Sequence, residues 1–210
     1  MYNINMDLMM ILMVVVILVV CLTVHEIAHG LVAYWLGDDT AKVAGRLTLN
    51  PFAHLEPFMS FILPMMCVMF GTPVIGGARP VPVNSRKLKW GEWGVALVAL
   101  AGPLSNFLMA FVAFDIFSIF NINQGLPAYI LAYFVRINLG LMLFNLLPIP
   151  PLDGSKIIYP LAPEFVQNFF KNSEKNLLLI FMLILIFSTQ ISALVGLGET
   201  QILAFFYSIF

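Results

Sequence analysis

Long apolar runs separated by short polar segments form the main pattern along the chain. The runs at residues 8–36, 95–120, 128–147 and 177–195 are long enough to cross a bilayer, which takes about 20 apolar residues in a helix. Gly37 and Asp38 follow the first run, and such residues are typical of helix ends. The pattern predicts an all-α polytopic membrane protein with spans at these places.

Two shorter apolar segments lie between and after the long runs. Residues 58–70 are interrupted by Pro64 and are short for a helical crossing, which favours a re-entrant segment over an additional short span. A last short apolar tail covers residues 202–210.

The polar stretches predict loops and small β elements. Residues 42–49 carry Val, Leu and Thr at short spacing, which predicts one or two short strands over the membrane domain. Residues 71–93 are rich in Gly and Pro and predict an irregular basic loop. Because no internal repeat is found, residues 1–210 are predicted to form a single membrane-embedded domain.

The composition agrees with a membrane location and excludes other classes. Hydrophobic residues make up 61% of the chain and charged residues 10%, against about 25% charged residues in a soluble domain. The net charge of -1 gives no basic field for nucleic acid. Cys21 and Cys67 lie in apolar runs without CxxC spacing, so they are expected to pack as small hydrophobic residues.

The distribution of basic residues predicts the orientation, since Lys and Arg in short loops stay on the cytoplasmic side. If residues 58–70 do not cross, the basic residues of the loops share one side, whereas the N-terminus and residues 121–127 carry none. The basic loop residues on that side are Lys42, Arg46, Arg79, Arg86, Lys87, Lys89, Lys156, Lys171 and Lys175. The sequence predicts a multi-pass protein of the cell membrane with its N-terminus outside. The first apolar run is expected to remain in the protein as a membrane helix.

The first apolar run contains the pattern H-E-x-x-H, formed by His25, Glu26 and His29. Positions i and i+4 share one face of a helix, so the two imidazoles can bind one Zn²⁺ while Glu26 acts as the general base of a hydrolysis. Ionisable side chains in a membrane helix cost about 2.5–3.5 kcal/mol each, so this cluster needs partners. The motif predicts metal-assisted hydrolysis.

A third metal ligand is needed because catalytic zinc usually has three protein ligands. Asp153 follows the third span in the segment Asn145-Leu-Leu-Pro-Ile-Pro-Pro-Leu-Asp153-Gly154. The prolines stop the helix, and Gly154 allows a sharp turn after the carboxylate. The sequence predicts one Zn²⁺ per chain, bound by His25, His29 and Asp153, and the alternative for Asp153 is a capping or turn residue.

Three motifs together resemble the site-2 protease family of intramembrane zinc metalloproteases: His25-Glu-Ile-Ala-His29, Ala101-Gly-Pro-Leu-Ser-Asn106 and Asn145 to Gly154. Residues 45–57 and 79–84 resemble the compact prokaryotic branch without a PDZ domain. The resemblance implies a three-helix catalytic core, zinc bound by the two histidines and the aspartate, and cleavage of membrane-spanning substrates near the cytoplasmic face.

Further polar residues are candidates for supporting roles. Asn106 and Asn145 are amides in apolar helices, and each is predicted to contact substrate or the oxyanion, with an interhelical hydrogen bond as the alternative. His54 is predicted to have an accessory or regulatory role, or to be plain polar surface. Gly102-Pro103 is expected to begin a helix.

The function predicted from the sequence is hydrolysis of peptide bonds in or next to transmembrane segments of membrane proteins. The expected partners are such substrates and the lipid bilayer, and no binding of nucleic acid is expected. The sequence leaves open whether the protein forms a homo-oligomer. One alternative is a membrane zinc hydrolase that acts on a lipid-linked or small amide. Another is a non-enzymatic zinc-binding membrane protein, against which Glu26 argues because a carrier needs no base.

Overall fold

The computed structural model describes residues 4–56, 79–122, 124–173 and 176–209. The re-entrant segment predicted at 58–70 and the predicted packing of Cys67 lie outside these residues. Within them the chain forms eight α-helices. They are α1 (Ile4–Trp35), α2 (Thr40–Val43), α3 (Glu92–Ile119), α4 (Gly125–Asn145), α5 (Asp153–Ile158), α6 (Glu164–Ser173), α7 (Leu177–Ile186) and α8 (Ser188–Ile209). Single 3₁₀ turns cover Pro51–Ala53 and Tyr159–Leu161.

Four of the described helices are long and apolar enough to cross a bilayer. They are Met9–Trp35, Glu92–Ile119, Gly125–Asn145 and Ser188–Ile209. The α-helical conformation pairs most of their backbone N–H and C=O groups within each helix, as a spanning segment requires. The prediction of an all-α polytopic membrane protein is confirmed.

Helix α3 lies at the centre of the bundle and packs against both α1 and α4. Its buried face consists largely of small residues, including Ala99, Ala110 and Ala113. Small residues let helix backbones approach closely inside a membrane, where apolar burial gives little net drive for association. This close approach brings polar side chains of three helices within hydrogen-bond distance.

Helix α8 packs against α4 and also inserts an aromatic side chain beside α3. Phe206 is fully buried, and its ring contacts those of Phe107, Phe111 and Phe114 on α3. The ring centroids lie 5.2–5.7 Å apart in tilted or edge-on arrangements, which are favourable for aromatic pairs.

The strand prediction for residues 42–49 is wrong. Thr40–Val43 is a helical turn, and no strand is present among the described residues. Asp38 accepts a hydrogen bond from the Thr40 backbone N–H at 3.0 Å, which starts a turn at this point. The Val, Leu and Thr residues indicated a strand, but this local hydrogen bond favours a turn over an extended backbone.

The C-terminal helices also differ from the prediction. The apolar run at 177–195 is divided after Ile186, and the helix long enough to span is Ser188–Ile209, which includes the described residues of the tail predicted at 202–210. Ser188, Thr189 and Gln190 lie at the break. Polar side chains of this kind compete for backbone hydrogen bonds and are common where a helix is interrupted.

Gly102-Pro103 does not begin a helix. Pro103 lies inside α3, which starts at Glu92 after Gly91, whose positive φ of 55° suits glycine. Proline is tolerated in a membrane helix where neighbouring helices cover the interrupted backbone. Pro103 is fully buried, in agreement with such cover.

Candidate metal centre

His25 and His29 lie one turn apart on α1 and face the centre of the bundle. His25 is only 4% exposed. The two rings meet edge to face with centroids 4.6 Å apart, and their Nε2 atoms are 3.0 Å apart. The helical periodicity therefore brings both imidazoles to one point, as the motif predicted.

Asp153 reaches the same point from another direction. It is the first residue of α5, and Leu152 before it is extended, with φ −63° and ψ 156°. Asp153 Oδ2 lies 3.3 Å from His25 Nε2 and 3.2 Å from His29 Nε2. Burial by itself would raise the pKa of this carboxyl, but the two imidazoles hold the pKa well below its ordinary value.

The three ligand atoms fit a zinc ion. They lie 3.0–3.3 Å from one another, and a tetrahedral zinc with ligands at about 2.0–2.2 Å holds its ligand atoms roughly 3.3–3.5 Å apart. Asp153 Oδ2 is buried without a hydrogen-bond partner. Two imidazoles and one carboxylate form a donor set that zinc accepts, with a fourth position left for water.

The outer nitrogens of both rings are bonded to oxygen acceptors. His25 Nδ1 lies 2.6 Å from Asn106 Oδ1, and His29 Nδ1 lies 2.7 Å from the backbone oxygen of Val98. An oxygen acceptor at Nδ1 requires the proton there, which leaves the Nε2 lone pair for the metal.

Glycines give the site its space. A Cβ at Gly102 would lie 2.5 Å from atoms of both His25 and His29, so any side chain there would fill the space beside the imidazoles. A Cβ at Gly154 would collide with the carbonyl oxygens of Leu146 and Leu147 at the end of α4. Gly154 therefore lets the start of α5 lie close to the backbone just after α4, which places Asp153.

Glu26 is adjacent to the two imidazoles on α1 and contacts a loop. Its Oε2 accepts a hydrogen bond from the backbone N–H of Val81 at 2.8 Å. Arg46 is 8% exposed and donates to the backbone oxygens of Arg79 at 2.5 Å and Pro80 at 3.2 Å. The loop that contains Val81 therefore lies over the Glu26 carboxylate, and Arg46 holds the two residues before Val81.

Asp38 anchors the other end of this loop. Its Oδ2 accepts from the backbone N–H of Asn84 at 2.6 Å, while its Oδ1 accepts from Thr40. Burial alone would raise the pKa of Asp38, but the hydrogen bonds from Thr40 and Asn84 and the charge of Lys87 hold that pKa below its ordinary value. The end of α1 and the loop over Glu26 are thus one hydrogen-bonded unit.

A family model described as peptidase family M50 matches residues 115–189. The chain is 38% identical over 200 residues to "Putative zinc metalloprotease YwhC" of Bacillus subtilis, which covers 90% of this chain and 88% of that protein. The chain belongs to peptidase family M50. This is the site-2 protease family that the motifs resemble.

Other M50 relatives are longer or match over a shorter stretch. "Putative zinc metalloprotease Rip2" of Mycobacterium tuberculosis (strain H37Rv) is 32% identical over 167 residues, or 78% of this chain and 62% of that protein. "Putative zinc metalloprotease MJ0611" of Methanocaldococcus jannaschii is 48% identical over 62 residues, or 29% of this chain and 31% of that protein. No solved structure matches the chain significantly. The chain is thus a multi-pass membrane protein of a metalloprotease family. The relatives given above carry the name zinc metalloprotease.

The two asparagines predicted from the sequence have different surroundings in this M50 chain. Asn106 is fully buried, with Oδ1 on His25 and Nδ2 on Asn138, so it supports an imidazole. Asn145 ends α4 and donates to the Leu141 backbone oxygen at 2.9 Å. The hydrogen bonds of Asn106 are interhelical, which is the alternative that the sequence offered beside a contact with substrate.

His54 does not join the cluster of His25, His29 and Asp153. It is 1% exposed, and its Nε2 donates to the Thr48 backbone oxygen at 2.9 Å. Its own backbone oxygen accepts from the Arg79 N–H at 2.7 Å. His54 therefore belongs to the loops near Glu26 and is not polar surface.

Sequence reasoning missed several residues that surround the M50 site. Asn138 carried the same signal as Asn106 and Asn145, an amide in an apolar helix, and could have been found by it. Arg46 was noted only as a loop charge. Val81 and Val98 take part through backbone atoms, which no side-chain pattern reveals.

Proposed function

We propose that this chain hydrolyses peptide bonds in or next to transmembrane segments of membrane-protein substrates. His25, His29 and Asp153 would hold one Zn²⁺, and Glu26 would act as the general base. The observation that carries this proposal is the convergence of the three ligand atoms at 3.0–3.3 Å, with Glu26 following His25 in the sequence.

The bound zinc, Glu26 and Val81 would each have a separate role in the hydrolysis. A bound zinc supplies Lewis acidity, which polarises a carbonyl and makes a water more acidic. Glu26 would take the proton from the attacking water and later give it to the leaving amine. The Val81 N–H holds one oxygen of this carboxylate, so that the group keeps one orientation during both transfers.

The proposed substrates follow from the position of the site inside the bundle. His25 lies within the spanning part of α1, and Asn106 lies within that of α3. A peptide bond reaching this depth belongs to a segment that is itself in or beside the membrane. The carbonyls of a helix are hydrogen-bonded internally, so the substrate helix would have to unwind locally before cleavage.

We further propose that the site faces the cytoplasmic end of the bundle. Lys42, Lys87 and Lys89 lie between the end of α1 and the start of α3, at the end of α1 that carries the histidines. Basic residues in short loops favour the cytoplasmic side, which places the N-terminus outside.

Asn145 is the candidate donor to the oxyanion. It ends α4 on the segment that leads to Asp153, and its Nδ2 has a second hydrogen beyond the one donated to Leu141. An Asn145→Leu variant that loses cleavage but keeps its zinc affinity would support this role. Unchanged cleavage would refute it.

The experiment is zinc content and cleavage of single-span test substrates by purified protein. Wild type is compared with Glu26→Gln and Asp153→Asn, and Glu92→Gln serves as the control because Glu92 is exposed in the first turn of α3. Glu26→Gln should keep zinc and lose cleavage by about 10²-fold or more. Asp153→Asn should lose both.

Two outcomes would contradict the proposal. Full cleavage by Glu26→Gln would exclude Glu26 as the base. Bound zinc without cleavage of any membrane substrate would favour a small-amide hydrolase, or a non-enzymatic zinc protein if amides are also left intact.

A further inference from the structure

Two buried side chains, those of Asn106 and Asn138, connect His25 to a backbone carbonyl on another helix. Asn106 Oδ1 lies 2.6 Å from His25 Nδ1, and Asn106 Nδ2 donates to Asn138 Oδ1 at 2.9 Å. Asn138 Nδ2 then donates to the Phe134 backbone oxygen at 2.8 Å. Asn106 and Asn138 are both 0% exposed, so bulk water does not compete for these bonds.

The direction of this chain of bonds is fixed from its far end. A backbone oxygen only accepts, so Asn138 must turn its nitrogen toward Phe134 and its oxygen toward Asn106. Asn106 must then face Asn138 with nitrogen and His25 with oxygen. An oxygen at His25 Nδ1 requires the proton on Nδ1 and leaves the Nε2 lone pair free.

His29 needs no such relay. Its Nδ1 meets the backbone oxygen of Val98 directly, and that oxygen cannot exchange places with a donor. The amide of Asn106, by contrast, could rotate by half a turn and offer a nitrogen to His25. His25 would then carry its proton on Nε2, which faces His29 and Asp153.

We propose that Asn138 is a positioning residue for the metal centre, which acts through Asn106 to keep the His25 Nε2 lone pair directed at the metal. This inference deepens the proposed function, because it rests on His25 being a metal ligand. Asn138 itself touches neither the three ligand atoms nor Glu26 in the described structure.

The first test measures zinc affinity by competition with a chelator. Asn138→Leu keeps the branching of the side chain but has no polar atom, and should weaken zinc binding by about tenfold, as loss of an outer partner of a histidine ligand does. Asn138→Thr can donate to Phe134 and accept from Asn106, as Thr23 donates to Val19 in α1 at 2.7 Å, and should restore most of the affinity. Ser105→Ala is the control, since among the described residues the Ser105 hydroxyl donates to the Gly102 backbone oxygen within α3.

The second test distinguishes positioning from packing. Asn106→Asp presents an oxygen to His25 in either orientation, so His25 no longer depends on Asn138. In that background Asn138→Leu should change zinc affinity by less than about twofold, against about tenfold in the wild-type background. Equal losses in both backgrounds would overturn the proposal, because a packing defect does not depend on which atom Asn106 presents.

Cleavage at two zinc concentrations completes the experiment. Asn138→Leu should lose cleavage at limiting free zinc and regain it at saturating zinc; loss at both would overturn the proposal. If wild type binds zinc but cleaves no membrane substrate, the proposed function fails, while the affinity cycle still decides the role of Asn138. If wild type binds no zinc, the positioning role fails as well.

Discussion

Val81 donates its backbone N–H to Glu26 Oε2 at 2.8 Å, although the two residues lie 55 positions apart in the chain. The proposed general base is therefore held by a loop outside the helical bundle. Arg46 and Asp38 hold the same loop on either side of Val81 through backbone oxygens and an N–H. The position of this loop and the orientation of the base are coupled.

Val81→Pro should lower cleavage by about tenfold while zinc content stays unchanged. Proline has no N–H, so Glu26 loses the bond that orients it, and a misplaced base transfers protons less efficiently. Cleavage rate and bound zinc per chain are measured together. Val83→Pro is the matched control because it introduces the same ring into the same loop without removing the Glu26 bond. Equal losses of cleavage in both variants would contradict this explanation.

Gly102→Ala should abolish zinc binding. The added Cβ would lie 2.5 Å from atoms of both His25 and His29, and the buried imidazoles would have to move apart. Gly196→Ala on α8 is the control, since a Cβ there meets no described atom within 4 Å. Metal analysis and thermal unfolding of both variants provide the measurement. Full zinc occupancy in Gly102→Ala would show that the ligand atoms converge differently.

Asp38→Asn should destabilise the protein at neutral pH by about 1–3 kcal/mol. The amide NH₂ would replace one carboxylate oxygen and would then face the backbone N–H of Thr40 or Asn84, which has no acceptor left. The folded protein holds the pKa of Asp38 below its ordinary value of 3.8. The carboxylate therefore contributes its full stabilisation above that value and loses it as the pH falls through the lowered pKa. The difference in melting temperature between variant and wild type should be present at pH 7 and shrink below about pH 4. A constant difference down to low pH would contradict this account.

Removal of zinc by a chelator should lower the melting temperature of wild type, and added Zn²⁺ should restore it. A ligand that binds only the folded state stabilises it in proportion to the logarithm of its concentration, so the shift should grow with free zinc. Asp153→Asn lacks one ligand and should show a much smaller shift. A wild-type melting temperature that is independent of zinc would exclude a metal at this site.

The sequence alone predicted the membrane class and the residues that converge. Apolar run length determines which helices can span, and i, i+4 spacing puts His25 and His29 on one face whatever the rest of the chain does. The prolines before Asp153 indicated a helix end with a carboxylate behind it. These inferences depend on local geometry, which neighbouring residues in the sequence specify.

The tertiary structure decided what each polar group contacts. The sequence left two roles open for Asn106, and the close packing of α1, α3 and α4 places it between His25 and Asn138. Residues 42–49 carry Val, Leu and Thr at short spacing, which predicted a strand, but the hydrogen bond from Thr40 to Asp38 starts a helical turn just before them. Partners of this kind come from distant parts of the chain or from backbone atoms. They depend on how the helices pack, which side-chain patterns do not encode.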